Sequence, residues 1–575
     1  MNDQEVLVNK LTWLRCLEGV KKFASSDSGG RAKLMALGLL LLLLAVSGLN
    51  VVNSYVGRNF MTAIAERNHA GFVSQAMLYI LVFAGSTAVA VFYRFTEERL
   101  GLLWREWLTR HLVSAYLSDR TYHRLNDKLA QNGEIANPDQ RIADDVRTFT
   151  VSTLSLVLMA LNSLIAILAF SGVMWSISPL LFVVTVAYSF AGSYVAFKLG
   201  RPLVGLNYNQ FDREANFRSS LIHVRQNAEA IALSRREGRI TSQLLRRVEE
   251  LAANFRRIIS VNRNLGFFTT GYNYMIQIIP ALVVAPMYIR GEVEFGVITQ
   301  SAMAFAHLVG AFSLIVNQFQ SISSYAAVAA RLDRLEQAIE MAKSPEATAI
   351  VVTEEQSRIG FEGLTLYSPD DNKVLLRNLS ITVPHGMRLL ISGPNDTAKV
   401  ALLRATAGIW DAGEGQIIRP NLDTVRFLPE RPYLYPGTLR ELLLRSGEEF
   451  AVSDERILEI LKALHLEPVL QRAGGLDEEQ DWASVLSLGE EQLLAFTRLL
   501  LATPCFAFLD RVCTALSDEQ VDQIHKMLIG NGISYVSLEE EGTLYEHYDF
   551  VLELNNDGSW EMKKIENGIS YECAG

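Results

Sequence analysis

The residues of this chain best suited to chemistry lie in the run ISGPNDTAKVALLRATAGI, 391–409. A short apolar stretch, Met387 to Ser392, leads into a turn at Gly393, and a helix is expected from about Lys399. A phosphate-binding loop has the form G-x-x-x-x-G-K-[ST]. Here those four positions hold Gly393, Ala398, Lys399 and Val400. Lys399 is retained at a helix start, where its ammonium and the backbone dipoles can neutralise β- and γ-phosphates. Ala398 brings a methyl to a place where backbone must approach phosphate closely. Val400 removes the hydroxyl that would ligate Mg²⁺. Asn395, inside the loop, is taken with these as a candidate nucleotide contact.

The elements that must position this loop belong to a chain of two unlike halves. The protein has 575 residues, 49% of them hydrophobic and 20% charged, with a formal net charge of −10. That charge argues against a nucleic-acid surface. The cysteines Cys16, Cys505, Cys513 and Cys573 lack paired spacing, so neither a metal motif nor a disulfide framework emerges. The first residues are polar to about Gly30, unlike an ordinary cleaved signal peptide.

Apolar residues concentrate before residue 320. Ala36 to Val51, with flanks, reaches the roughly 20 residues that cross a bilayer. Five further spans are expected at 72–93, 150–174, 179–197, 267–288 and 295–319. The loops after the second and fourth spans are rich in arginine, from Arg99 to Arg147 and from Arg201 to Arg263, whereas the first exterior segment carries only Arg58 and Arg67. The positive-inside rule then puts both long loops and both termini in the cytoplasm. These loops contain little Gly or Pro and read as helices continuing beyond the bilayer. Polar residues within spans usually face the bundle or a wet cavity. Asn50, Asn53, Asn162, Tyr188, Tyr272, Asn273 and Gln277 are such residues. Asn50, Asn162, Tyr188, Asn273 and Gln277 are the substrate-pathway candidates, with helix–helix hydrogen bonding as the equal alternative. Glu97 and Glu98, at the inner end of span two, read as a solvated helix end.

Several stretches sharpen this pattern: NSYVGRNFMTAI (53–64), YRFTEERLGLLWREWLTR (93–110), NPDQRIADDVRTF (137–149), LNYNQFDREANFR (206–218) and GYNYMIQIIPALVVAP (271–286). They resemble the membrane domain of ATP-binding-cassette (ABC) half-transporters of subfamily D, the peroxisomal fatty-acyl and cobalamin transporters and their bacterial relatives. The same membrane domain is shared with proton-driven peptide importers of the SbmA/BacA type, which lack a nucleotide domain. The resemblance implies a membrane all-α, six-helix exporter-type transmembrane domain followed by a cytoplasmic α/β P-loop NTPase-like nucleotide-binding domain. The expected divisions are a cytoplasmic N-terminal segment 1–32, the transmembrane domain 33–335, a polar linker 336–357 and the nucleotide-binding domain 358–575. A bacterial inner membrane is the expected location.

The resemblance also assigns roles further along the chain. In FLPERPYLYPGTLRELLL, Glu430 stands where the family has a glutamine that touches Mg²⁺ and the attacking water. VLSLGEEQLLAFTRLLLATPCFAFLDRVCTALSDE, 485–519, is similar to the signature, helix and Walker B strand. Ser487, Gly489, Glu490 and Gln492 keep the signature, with Leu488 in place of a glycine; in the family this helix start faces the γ-phosphate held by the partner subunit. Asp510 occupies the Mg²⁺-associated aspartate position, and Arg511 that of the catalytic glutamate. A guanidinium cannot serve as general base. Ser517 replaces the D-loop aspartate; Glu540 falls at the switch-histidine position, with His547 seven residues later read as a surface residue. No catalytic residue is expected to be intact. ATP is the expected cofactor, through Lys399, with Mg²⁺ weakly held at Asp510 or absent. Three working states follow: a heterodimer with an intact half, to which this chain lends Ser487 and Gly489; a proton-driven homodimer with a vestigial ATPase domain; and a non-transporting membrane regulator. The cargo is an unidentified amphiphilic or peptidic solute.

Overall fold

The leucine run LGLLLLLLAVSGL has no polar face. Such a helix is stable where no side must meet water. In the computed structural model it lies within α1, Gly29–Ala65. The structure describes residues 19–125, 138–343, 349–369, 371, 373–445, 447, 452–539, 545–566 and 569–572. The chain divides into two units, 1–344 and 345–575.

In the first unit α1 is followed by α2 (His69–Leu117), α3 (Val146–Ile177), α4 (Pro179–Gly200), α5 (Leu203–Gln226), α6 (Glu237–Ile289), α7 (Gly296–Phe312) and α8 (Leu314–Lys343). Asn68 caps α2 by accepting from the Gly71 amide at 3.0 Å, and Ser178 caps α4, whose first residue is Pro179. At 49 and 53 residues, α2 and α6 are about 74 and 80 Å long at 1.5 Å per residue. Both exceed twice the ~30 Å hydrocarbon core, as expected for helices that continue past the bilayer.

Among the described residues, five helices are long and apolar enough to cross a membrane; the sixth apolar helix, Gly296–Phe312, is shorter. The expected span 295–319 is broken at Ser313, where φ is −97° and ψ is 24°. The break coincides with a tertiary contact. The Tyr272 hydroxyl shares a 2.5 Å hydrogen bond with Ser313 Oγ. The Tyr272 ring stacks on Tyr188 at 4.4 Å, and Tyr188 donates to the Tyr272 carbonyl at 2.7 Å. Gly192 faces this ring so closely that a Cβ there would lie 2.2 Å from it.

Two of the quoted motifs meet at a buried charge cluster. Asp145, from NPDQRIADDVRTF, pairs with Arg331 of α8 at 2.9 Å. Asp212, from LNYNQFDREANFR, reaches the same guanidinium at 3.6 Å. Arg141 donates to the Arg331 carbonyl at 3.0 Å, and Arg334 donates to Tyr208 Oη at 2.6 Å. Arg331 is 1% exposed. It therefore ties the turn before α3 to α5 and α8, and a buried charge in such a tie is stable only with its partners present.

Among the described residues the second unit holds two large sheets and a short antiparallel pairing of Gly437–Thr438 with Glu479–Gln480. Strands β1 (Ala349–Glu354), β2 (Arg358–Tyr367), β3 (Val374–Pro384) and β5 (Gly413–Arg419) form one, in the order β1-β5-β2-β3. The other comprises β4 (Arg388–Ser392), β6 (Val425–Leu428), β7 (Phe506–Asp510), β8 (Ser534–Leu538), β9 (Phe550–Leu554), β10 (Trp560–Glu566) and β11 (Ile569–Glu572), in the order β11-β10-β9-β4-β8-β7-β6. Its central strands are parallel, β8 pairing with both β4 and β7. Continuous apolar runs such as RLLIS and FAFLD suit a parallel sheet covered on both faces. Helices α9 (Asp396–Thr406), α10 (Leu439–Leu443), α11 (Asp454–Ala463), α12 (Leu488–Ala502) and α13 (Asp518–Gly530) lie between these strands in sequence, with further helices at Glu467–Ala473 and Trp482–Val485. The linker expected at 336–357 is corrected: α8 runs to Lys343 and β1 starts at Ala349, pairing in parallel with β5. The β-branched run AIVVT favours a strand once β5 offers a partner.

Arg331→Ala removes the ion-pair partner of the buried Asp145 and leaves Arg141 as the nearby guanidinium. We expect a loss of about 3–5 kcal/mol, read as a lowered unfolding midpoint of the purified chain, whereas Arg334→Ala, at the edge of the cluster, lowers it less.

Candidate nucleotide site

Strand β4 lies between β9 and β8 at the centre of its sheet and ends at Ser392. The next residue, Gly393, has φ +108°, and a Cβ there would lie 2.5 Å from the Leu554 carbonyl oxygen. Only glycine fits this turn. Asn395 follows as the cap of α9: its Oδ1 accepts from the Ala398 amide at 3.0 Å. Its Nδ2 donates to the carbonyls of Leu375 at 3.2 Å and Asn555 at 2.9 Å. The side chain proposed as a nucleotide contact is thus engaged in holding the loop to neighbouring strands.

Ala398 also differs from expectation. It is fully buried, and its methyl belongs to the sheet core with Ile391, Leu402 and Leu538. The expected crowding of phosphate by this methyl is corrected: the helix start turns it inward, so the change from glycine acts on backbone freedom instead.

Lys399 is where the sequence places it, 5% exposed at the start of α9. Its Nζ pairs with Asp396 Oδ1 at 2.7 Å and donates to the Glu539 carbonyl at 3.2 Å. Asp396, the partner of Lys399, is a residue the loop pattern does not specify. It occupies a variable position of the loop pattern, and the available signal was its spacing of three from Lys399, which puts both on one helix face.

Asp510 closes β7, and Arg511 follows at φ +48°, held by its amide donating to the Leu538 carbonyl at 3.0 Å. The guanidinium reaches Asp510 at 3.5 Å and Glu430 at 3.8 Å. Burial raises the Asp510 carboxyl above its ordinary range, and Glu430 adds to this, while Arg511 opposes it. Asp396, Lys399, Val400, Asp510, Arg511, Leu538 and Glu539 line a cavity of about 10 Å³, room for about one water. Cys513, close by in sequence, has a thiol pushed up to about 12 by burial and is chemically quiet.

An ATP triphosphate would be held here by Lys399 and the first turn of α9. Mg²⁺ does not fit the donor set: Val400 offers no oxygen, and the one strand-end carboxylate, Asp510, is flanked by a guanidinium.

The signature region keeps its form. Ser487 caps α12 in a reciprocal capping box with Glu490. Its hydroxyl donates to Glu490 Oε2 at 3.0 Å, and Arg472 pairs with the same carboxylate. A Cβ on Gly489 would lie 3.0 Å from the Ala515 carbonyl, so the residue is small for packing reasons. Gln492, fully buried, donates to the Glu430 carbonyl at 3.1 Å and to Thr514 at 3.0 Å, and accepts from the Ala515 amide at 3.2 Å. It ties the Glu430 loop to the segment beyond Arg511. Ser517 caps α13 with Gln520. Glu540 lies outside the described residues. His547 is half-buried rather than a plain surface residue, stacking on His525 at 4.5 Å.

In the membrane unit the pathway candidates separate. Tyr188 is held by Tyr272, whereas Asn162, Asn273 and Gln277 are exposed on the helix surfaces and Asn50 is half-buried.

Asp510→Asn removes a carboxylate that folding holds protonated more tightly than water does. The penalty from its ionisation is absent below the ordinary carboxyl value of 3.8, grows as pH rises through the raised folded value, and is complete above it. The variant therefore unfolds at a higher temperature than the parent at pH 7, and the gap closes on acidification. Gln492→Ala, by contrast, is expected to cost roughly 2–3 kcal/mol in urea unfolding, because the Ala515 amide loses its acceptor and a cavity opens.

Residues 23–289 match the family described as ABC transporter transmembrane region 2, and residues 376–514 match the family described as ABC transporter. An uncharacterized ABC transporter ATP-binding protein of Synechocystis is 36% identical over 93% of this chain and 82% of its own length. The chloroplastic ABC transporter D family member 2 of Arabidopsis thaliana is 34% identical, covering 97% of this chain and 89% of that protein. The human lysosomal cobalamin transporter is 27% identical over 96% of each. A bacterial Atm1-family ABC exporter with ATP bound has the same fold, with a TM-score of 0.75 at 16% identity over 92% of this chain and 95% of that one. The chain therefore belongs to the ABC transporter family, as a half-transporter subunit with a membrane domain and an ATP-binding domain, homologous to subfamily D and its bacterial relatives.

Proposed function

We propose that this subunit moves an amphiphilic or peptidic solute across a bacterial inner membrane, in a dimer whose ATP turnover is supplied by an intact partner half. Both termini and the long helical extensions face the cytoplasm in this reading, on the arginine content of the loops. The observation that carries it is Arg511 between Asp510 and Glu430. A permanent cation occupies the place of the base that would take a proton from the attacking water. Loss of a general base alone lowers turnover about 10²–10⁴-fold.

The signature half supports the partner arrangement. Ser487 and Gly489 stand at the exposed and half-exposed start of a 15-residue helix, whose amide dipoles suit a phosphate presented from outside. The membrane unit fits a shared pathway: Asn162, Asn273 and Gln277 on exposed faces of α3 and α6 are costly against lipid and suit a wet cavity between two subunits. A relative named as a cobalamin transporter falls within the proposed solute class.

The purified chain alone is expected to hydrolyse ATP at background, measured as phosphate release in nanodiscs. The double change Arg511→Glu with Val400→Ser restores a base and a metal ligand and should raise turnover at least ~100-fold. Turnover by the unaltered chain that disappears with Lys399→Ala overturns the reading. Uptake into proteoliposomes holding this chain alone, driven by a pH gradient without ATP, replaces the partner arrangement with a proton-driven homodimer.

A further inference from the structure

We infer that Asp396 is a resident anion for Lys399, so that the phosphate loop neutralises itself and holds nucleotide weakly. This rests on the reading of the site as non-hydrolysing and adds a separate binding defect with a named cause.

Asp396 is the first residue of α9, three before Lys399, and the two side chains pair at 2.7 Å. The lysine ammonium has three donors. One meets Asp396 Oδ1 and a second meets the Glu539 carbonyl. The Asp396 side chain remains 70% exposed. Its charge is therefore well solvated, and the Lys399 hydrogen bond, with Arg511 beyond it, holds the carboxyl below its ordinary range. A carboxylate at a helix N-terminus is favoured by the same dipole that would favour phosphate. The loop has thus placed its own anion where an anionic ligand would gain most.

The surrounding groups reinforce this. The small cavity is lined by the acidic residues Asp396, Asp510 and Glu539 and the basic residues Lys399 and Arg511. Its volume of about 10 Å³ is room for about one water, and both Asp396 and Lys399 lie on its lining. An incoming phosphate must either displace the carboxylate from Lys399 or lie beside it as a like charge. In both cases the lysine contributes less than it would in a loop with an uncharged residue at 396.

The test is a double-mutant cycle on the full chain in lipid nanodiscs, with ATP and Mg²⁺ titrated by calorimetry and tripolyphosphate as a second probe. Asp396→Asn should tighten ATP at least about tenfold, and tripolyphosphate by a similar factor, because the gain is in phosphate recognition. Lys399→Met should weaken ATP binding in the parent and remove the whole gain in the Asp396→Asn background. Asp396→Gly, which also changes the first helical residue, should match Asp396→Asn, and unaltered unfolding midpoints establish that both variants fold. The inference is overturned if Asp396→Asn binds within twofold of the parent, if neither chain shows saturation, or if the gain survives Lys399→Met. Absence of turnover with unchanged affinity removes this inference alone. ATP turnover by the parent removes the earlier reading and leaves the affinity ratio to be judged separately.

Discussion

Charge pairing within the protein marks the nucleotide site. An ABC site concentrates negative phosphate against positive groups and uses a divalent ion to balance the remainder. Here each charge has a protein partner: Lys399 has Asp396, and Asp510 has Arg511. Strand ends and helix starts keep their places because the groups that set them are apolar or backbone. Gly393 turns against Leu554, Asn395 caps α9, and Ile391, Phe508 and Leu538 fill the sheet beneath. The scaffold and the chemistry rest on different interactions, so one can persist while the other changes.

The same separation explains what the sequence revealed. The spans were legible because hydrocarbon imposes one rule on every residue of a helix, and runs such as LGLLLLLLAVSGL obey it. Lys399, Asp510, Arg511 and the Ser487 cap were legible because each stands at a strand end or helix start fixed by neighbouring apolar residues. Ala398 was misread because spacing gives position along the chain and not the direction of a side chain; the first turn of α9 points its methyl into the core. Asp396 was passed over because the loop pattern treats its position as variable, while its effect depends on a neighbour three residues away.

Tertiary partners account for the remaining differences. AIVVT reads as part of a polar linker until β5 supplies a parallel edge. Tyr188 reads equally as a pathway residue or a helix–helix contact, and the structure shows Tyr272 stacked on it. The motifs NPDQRIADDVRTF and LNYNQFDREANFR carry family resemblance, and their acids converge on Arg331, a residue outside both. That cluster gives the two motifs a structural purpose independent of cargo.

The joint at Ser313 has a consequence for how the membrane unit can deform. Seventeen residues of α7 cover about 26 Å, several ångströms short of the hydrocarbon thickness of ~30 Å. A short helix tolerates little tilt before its ends are drawn into lipid, whereas α2 and α6 have length to spare. The crossing that α7 begins is therefore continued past Ser313 by α8, and the joint, tied to Tyr272 of α6, lies inside the segment. A displacement of α6 at Tyr272 would thus be passed directly to the start of α8.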